Sequence, residues 1–156
     1  MKWLSLAVFF LLIIPLSSSA AENDNFTQIG ISIGSTNIFG VYVERHFGET
    51  SIRAQIGYLI HAVGFSIMCL RHFGSSKNRP YVGIGFLKYV EDKGLNKYNL
   101  LCVPAGVDIY LSKKNTLGVE LVPAIALSVF RPDGGKKKNI YDHILPLPNI
   151  LYKYRM

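Results

Sequence analysis

The chain has 156 residues with 17 Lys and Arg against 10 Asp and Glu, a net charge of +7, yet only 17% of its residues are charged and 49% are hydrophobic. Charge this sparse is unusual for a secreted soluble protein. The basic excess does not form one strong patch, and its densest cluster is Lys136-Lys137-Lys138.

In chain order, Lys2 is followed by an apolar run from Trp3 to Leu16, broken by Ser5, and then by Ser17-Ser18-Ser19-Ala20-Ala21. Ser18 and Ala20 suit the small-residue positions before a cleavage site, so 1–20 reads as a secretory signal peptide. It is too short for a membrane anchor, no Cys follows it for lipid attachment, and no later stretch approaches the ~18 uninterrupted apolar residues of a membrane helix. Cleavage leaves a short lead-in over 21–26 and one domain over 27–156, with Lys2 lost and the net charge at +6. Export argues against nucleic acid as a partner and permits a disulfide between Cys69 and Cys102.

A period of two, the signature of a strand with two different faces, then recurs almost throughout. It appears at 28–34, 38–48, 52–60, 63–73, 81–90, 99–111, 117–129 and, more weakly, 144–156. In each run one face is nearly pure Ile, Val, Leu and Phe. The other holds Gly, Ala and Ser with a few charges, as in Gly40, Tyr42, Glu44, His46 or Gly64, Ser66, Met68, Leu70, His72. Gly, Ser, Asn, Asp and Lys fill the connections, which are short enough to force antiparallel neighbours. The eight strands therefore predict an all-β, eight-stranded antiparallel up-and-down barrel. The alternation places Cys69 and Cys102 on opposite faces of non-neighbouring strands, where bridging geometry fails, so free thiols are expected.

Composition decides which face meets water. An outer face in water would carry many Lys, Glu and Thr. Small residues instead suit the cramped lumen of an eight-stranded barrel, and an aliphatic exterior suits lipid. The sequence Arg-His-Phe-Gly, at 45–48 and again at 71–74, ends the second and the fourth strand. In an up-and-down barrel these are the same end. Arg45, Phe47, Arg71 and Phe73 then face outward as an interfacial girdle, with Tyr152 and Tyr154 on the last strand, while His46 and His72 point to the lumen mouth.

"RPYVGIGF" at 79–86, "PAGVDIYLSKKNTLGVEL" at 104–121 and the terminal "YKYRM" resemble the small eight-stranded outer-membrane barrels of Gram-negative bacteria, the OmpA/OmpX type. The resemblance covers nearly all of 27–156, although Met156 stands where Phe is usual. It implies an outer-membrane location, lipid and lipopolysaccharide as surroundings, handling by the barrel-insertion machinery, and a monomer. It also implies periplasmic turns at 48–50, 74–79 and 112–115. The lysines of the outer loops at 91–97 and 131–142 read as ordinary solvated charge, with contact to anionic headgroups as the second reading.

The inward set includes Glu44, Arg53, Asp108 and Glu120, with Lys153 and Arg155 near one end. Buried charges need partners, so a lumenal ion-pair network is expected to plug the barrel, with Glu44 and Arg53 paired across a hairpin. No catalytic residue, cofactor or metal is assigned. Glu120, Ser128 and His143 could be assembled into a triad only on paper, and the histidines at 46, 61, 72 and 143 show no paired ligand spacing. A structural or surface-interaction role is the leading reading. A lipid-A-modifying barrel enzyme and a soluble barrel for a small apolar ligand are the alternatives. Finally, Pro146 and Pro148 remove ladder donors, so the closing strand is expected to begin after Pro148 or to be irregular there.

Overall fold

The computed structural model describes residues 25–34, 37–59, 61–74, 77–91, 97–130 and 145–156. Residues 1–24, to which the expected signal peptide belongs, residues 92–96 and 131–144, among them His143, and the side chain of Ser128 lie outside this description. The described residues form nine strands: β1 Thr27–Gly34, β2 Asn37–Phe47, β3 Thr50–Leu59, β4 Ala62–His72, β5 Asn78–Glu91, β6 Lys97–Cys102, β7 Ala105–Tyr110, β8 Asn115–Phe130 and β9 Leu145–Arg155. Every pairing is antiparallel, and the described residues contain no helix.

The sheet closes on itself. β1 pairs with both β2 and β9, β4 pairs with β5, and β6 and β7 each lie between β5 and β8. β6 and β7 occupy one barrel position, because the register is the same on either side of the break: Cys102 faces Gly85 and Ala105 faces Val82. The architecture is an eight-stranded closed antiparallel β-barrel. The run expected to be continuous over 99–111 is broken at Val103-Pro104. Pro104 has no N–H to give the ladder, although its carbonyl still accepts from Gly83 and Val103 donates to the carbonyl of Pro123. Leu127 is skipped in the β6–β8 ladder, where Asn99 faces Ser128 but Leu100 faces Ala126.

The two prolines of β9 are accommodated on one side only. β9 pairs with β8 from Leu145 onward but with β1 only from Asn149. Because Pro123 gives its carbonyl to Val103 on its other flank, the Pro123–Pro146 pair sits where neither residue owes the other a hydrogen bond. Pro148, two residues on, repeats that position. The missing donors therefore face the β1 side, short of where that ladder begins.

Polarity is inverted relative to a water-soluble barrel. Ile31, Val41, Ile56, Ile67, Phe86 and Ile150 are among the large apolar side chains that point outward and are exposed. Inside, the lumen is filled to contact. The Tyr42 ring lies where a Cβ on Gly30 would sit, Tyr81 does the same over Gly106, and Leu70 and Met68 cover Gly83 and Gly85. Inward glycines thus make room for neighbouring large side chains. Toward the end that carries the 48–49, 73–77 and 111–114 connections the filling is polar. Toward the other end it is apolar, around Ala62, Met68, Leu87, Tyr89, Cys102 and Val122. Cys69 is exposed, Cys102 is buried, and both are free thiols.

Gly48 and Gly74, the glycines of the repeated tetrapeptide, have φ of 62° and 73°. That left-handed conformation costs an L-residue about 1–2 kcal/mol, and Asn tolerates it better than Ala. Gly48→Ala should lower unfolding stability by about 1 kcal/mol and Gly48→Asn by less, measured by urea titration of the refolded chain followed by far-UV circular dichroism.

Candidate functional site: the charged lumen

Alternation in β2, β3 and β4 sends Glu44, His46, Ser51, Arg53 and His72 inward, all with 0% relative exposure. The hairpin register sets Glu44 opposite Arg53 and His46 opposite Ser51. Asp108 comes from β7, Glu120 from β8, and Asn149 and Lys153 from β9. Side chains from six strands therefore meet at one end of the lumen.

Glu44 lies at the centre. Its Oε2 accepts from Arg53 Nε at 3.0 Å and Lys153 Nζ at 3.2 Å. Its Oε1 accepts from the Ser51 hydroxyl at 2.6 Å and lies 3.3 Å from Nε2 of both His46 and His72. Arg53 continues the network by donating from Nη1 to Glu120 Oε2 at 2.7 Å, where the Tyr81 hydroxyl also donates at 2.8 Å. Asn149 Nδ2 donates to the other Glu120 oxygen at 3.0 Å. Lys153 joins Asp108 at 2.8 Å. The Arg53 guanidinium lies 5.3 and 5.5 Å from the centroids of the Tyr42 and Tyr81 rings, at cation–π range. Thus Glu44, Arg53, Asp108 and Glu120 belong to one continuous network, with Lys153 as the link to Asp108.

A row of rings crosses the same end. Phe26 stacks on His46 at 4.2 Å, His46 lies 4.9 Å from His72, and His72 lies 5.2 Å from Tyr81. Arg155 rests over Phe26, its Cζ 3.9 Å from the centroid. Phe26, in the lead-in before β1, is almost fully buried and covers His46.

Linear spacing gave no hint of a metal site, yet the potential ligand atoms of Glu44, His46 and His72 lie within 4.8 Å of one another. The period of two already placed the two histidines in the lumen. Their meeting on Glu44 depends on the β2–β3 and β3–β4 registers, each displaced by its own turn, and on barrel curvature. Ser51, Tyr42, Tyr81 and Asn149 were missed for the same reason, since their partners lie on other strands. Glu120 is engaged by Arg53, Tyr81 and Asn149.

On the outside, Arg45 donates to Thr27 Oγ1 at 2.8 Å and lies beside the Phe47 ring. Arg71 reaches Glu49 at 3.5 Å, and the Tyr152 hydroxyl donates to Asn115 Oδ1 at 2.8 Å. Phe47, Tyr152 and Tyr154 are exposed, whereas Arg71 and Phe73 are half-buried. Lys77, Lys113, Lys114 and Arg155 line a basic recess at this end.

Compared with family models, curated proteins and solved structures, the chain matches none of them. The fold and the lumen therefore define the class by themselves: a closed eight-stranded barrel that is apolar outside and charged within.

Removing one partner of a buried ion pair leaves the other charge without compensation, at a cost of about 3–5 kcal/mol. Glu44→Ala should therefore destabilise the barrel by about that amount or prevent refolding. Glu49→Ala, which removes a partly exposed pair at the rim, should change stability by no more than about 1 kcal/mol. Urea unfolding of the two variants side by side checks both values.

Proposed function

We propose that this protein is an integral outer-membrane β-barrel with a plugged lumen and a structural or surface-interaction role. The observation that carries the reading is the inverted polarity. Outward Ile, Val, Leu and Phe form a continuous belt, while Glu44, Arg53, Asp108, Glu120 and Lys153 are buried inside. In water such an exterior is an aggregation hazard. In a bilayer it is the required surface, and closure satisfies the ladder groups that lipid cannot. β2, β3 and β4, with 11, 10 and 11 residues, suit tilted membrane strands of about 9–11 residues.

Further support comes from the rims. Phe47, Tyr152 and Tyr154, with Arg45 and Arg71 beside them, suit an interfacial girdle whose cations snorkel to headgroups. The basic recess at the same end suits an anionic headgroup layer. A packed lumen of paired charges favours a plug over a pore or an apolar ligand cavity. Lipopolysaccharide and membrane lipid are the proposed surroundings, the barrel-insertion machinery the proposed assembly partner, and the monomer the proposed state. No enzymatic activity is part of this reading.

The reading is tested by refolding the mature chain into detergent and comparing gel mobility unheated and boiled. A compact species that shifts on boiling is expected. A folded monomer in plain buffer, with no shift, would overturn the proposal. A substitution sharpens the test. Ile67, in the middle of β4, points outward and is 57% exposed. Ile67→Lys should cost about 2–4 kcal/mol in lipid vesicles. At a water-exposed position it would stay within about 0.5 kcal/mol.

A further inference from the structure

We infer that the polar end of the lumen is a binding site for one divalent transition-metal ion, ligated by Nε2 of His46, Nε2 of His72 and Oε1 of Glu44. The inference rests on the barrel interior and not on the membrane reading.

The first support is spacing. Two ligand atoms at about 2.0–2.1 Å from a tetrahedral ion stand about 3.3–3.4 Å apart. Glu44 Oε1 lies 3.3 Å from each of the two Nε2 atoms, so two edges of such a site already have the right length. Two imidazoles and one carboxylate form the ligand set of a three-ligand zinc site with an open fourth position. The Ser51 hydroxyl lies 2.6 Å from Glu44 Oε1 and 2.9 Å from His72 Nε2, beside two of the three ligand atoms.

The second support is independent of spacing. His46 Nδ1, His72 Nδ1 and Asp108 Oδ1 are buried and have no hydrogen-bond partner among the described residues. Without metal, Nε2 of His46 has two oxygens beside it, Gln28 Oε1 at 3.1 Å and Glu44 Oε1 at 3.3 Å, which suits the tautomer protonated at Nε2. A metal bound at Nε2 moves the proton to Nδ1. Asp108 Oδ2 lies 3.9 Å from His72 Nδ1, beyond hydrogen-bond range without metal, and a shift of about 1 Å would bring it into range of the Nδ1–H. A ligating histidine that donates its other N–H to a carboxylate is the usual arrangement behind a metal.

The third support is charge. Among the fully buried side chains, Glu44, Asp108 and Glu120 oppose Arg53 and Lys153, one cation short of balance. A divalent ion that carries one hydroxide at its open position adds the missing +1.

The test uses the refolded mature chain with Co²⁺ and Zn²⁺ as probes, in detergent or in buffer according to where the chain is soluble. One Co²⁺ per chain with the visible absorption of a four-coordinate site is expected, displaced by Zn²⁺, with a higher thermal midpoint when metal is bound. His46→Asn and His72→Asn should each weaken Zn²⁺ binding by roughly 100-fold or more. Asp108→Asn should weaken it by about 10- to 100-fold. His61→Asn, in an exposed turn, should leave it unchanged. Far-UV circular dichroism confirms that each variant is folded. Absence of Zn²⁺ binding by the folded parent overturns the inference. So does binding that persists in the His46→Asn and His72→Asn variants, because it would then lie on the surface.

Discussion

The carboxylate of Glu44 is the interaction on which the rest of the lumen depends. A buried carboxylate is costly unless each of its lone pairs meets a donor. Glu44 meets this condition with donors from three strands besides its own: Ser51 and Arg53 from β3, His72 from β4 and Lys153 from β9. The two cations among them are in turn fixed by a second acceptor, Arg53 by Glu120 and Lys153 by Asp108. Local hairpins would form β2 with β3 and β3 with β4 without this network. What the network adds is long-range, because Lys153 and Glu120 lie on the last two strands. The ion pairs therefore tie the first hairpins to the strands that complete the ring, and they favour closure over an open sheet.

Space sets the second constraint. An eight-stranded barrel leaves an interior just wide enough to be filled by side chains, so each large inward residue needs a small one opposite. Tyr42 over Gly30 and Tyr81 over Gly106 meet this need, and the same two rings lie at cation–π range of the Arg53 guanidinium. The glycines and the charge network are therefore one design. A Cβ at Gly30 or Gly106 would displace these rings, and the buried guanidinium would lose its cation–π contacts with them. The apolar filling around Met68, Leu87 and Val122 at the other end needs no such matching of donors and acceptors.

Much of this was legible in the sequence, and the limits follow from geometry. A period of two states which face a side chain takes, and a tight turn states its partner across a hairpin. Strand positions, the apolar exterior and the Glu44–Arg53 pair follow from those two rules. The rules are silent about contacts across the lumen, because those depend on the shear of the closed ring. For that reason Lys153 reaching both Glu44 and Asp108, and two histidines meeting on one carboxylate, carry no local signal. The break between β6 and β7 was hidden differently: Pro104 interrupts the hydrogen bonds of a run whose facing pattern continues through it. At Pro146 and Pro148 the proline rule located the irregularity correctly, but sequence alone does not say which flank lacks the donors. The carbonyl of Pro123, turned toward Val103, decides that it is the β1 flank.

The repeated Arg-His-Phe-Gly has a physical account that needs no duplication. The two copies end β2 and β4, which run in the same direction, so each of the four positions is sent to the same face and the same end of the barrel twice. Arg and Phe take the outward side near the rim. Gly takes the left-handed conformation from which the chain leaves the strand. His takes the lumen, and there the two copies stop being equivalent. His46 lies under Phe26 and faces Gln28, whereas His72 faces Ser51 and lies near Tyr81 and Asp108. Outward, repetition meets a rim environment that recurs around the barrel, so the copies act independently. Inward, repetition meets a single narrow lumen, so the copies converge on one carboxylate. A barrel of this size turns a periodic sequence into an aperiodic interior.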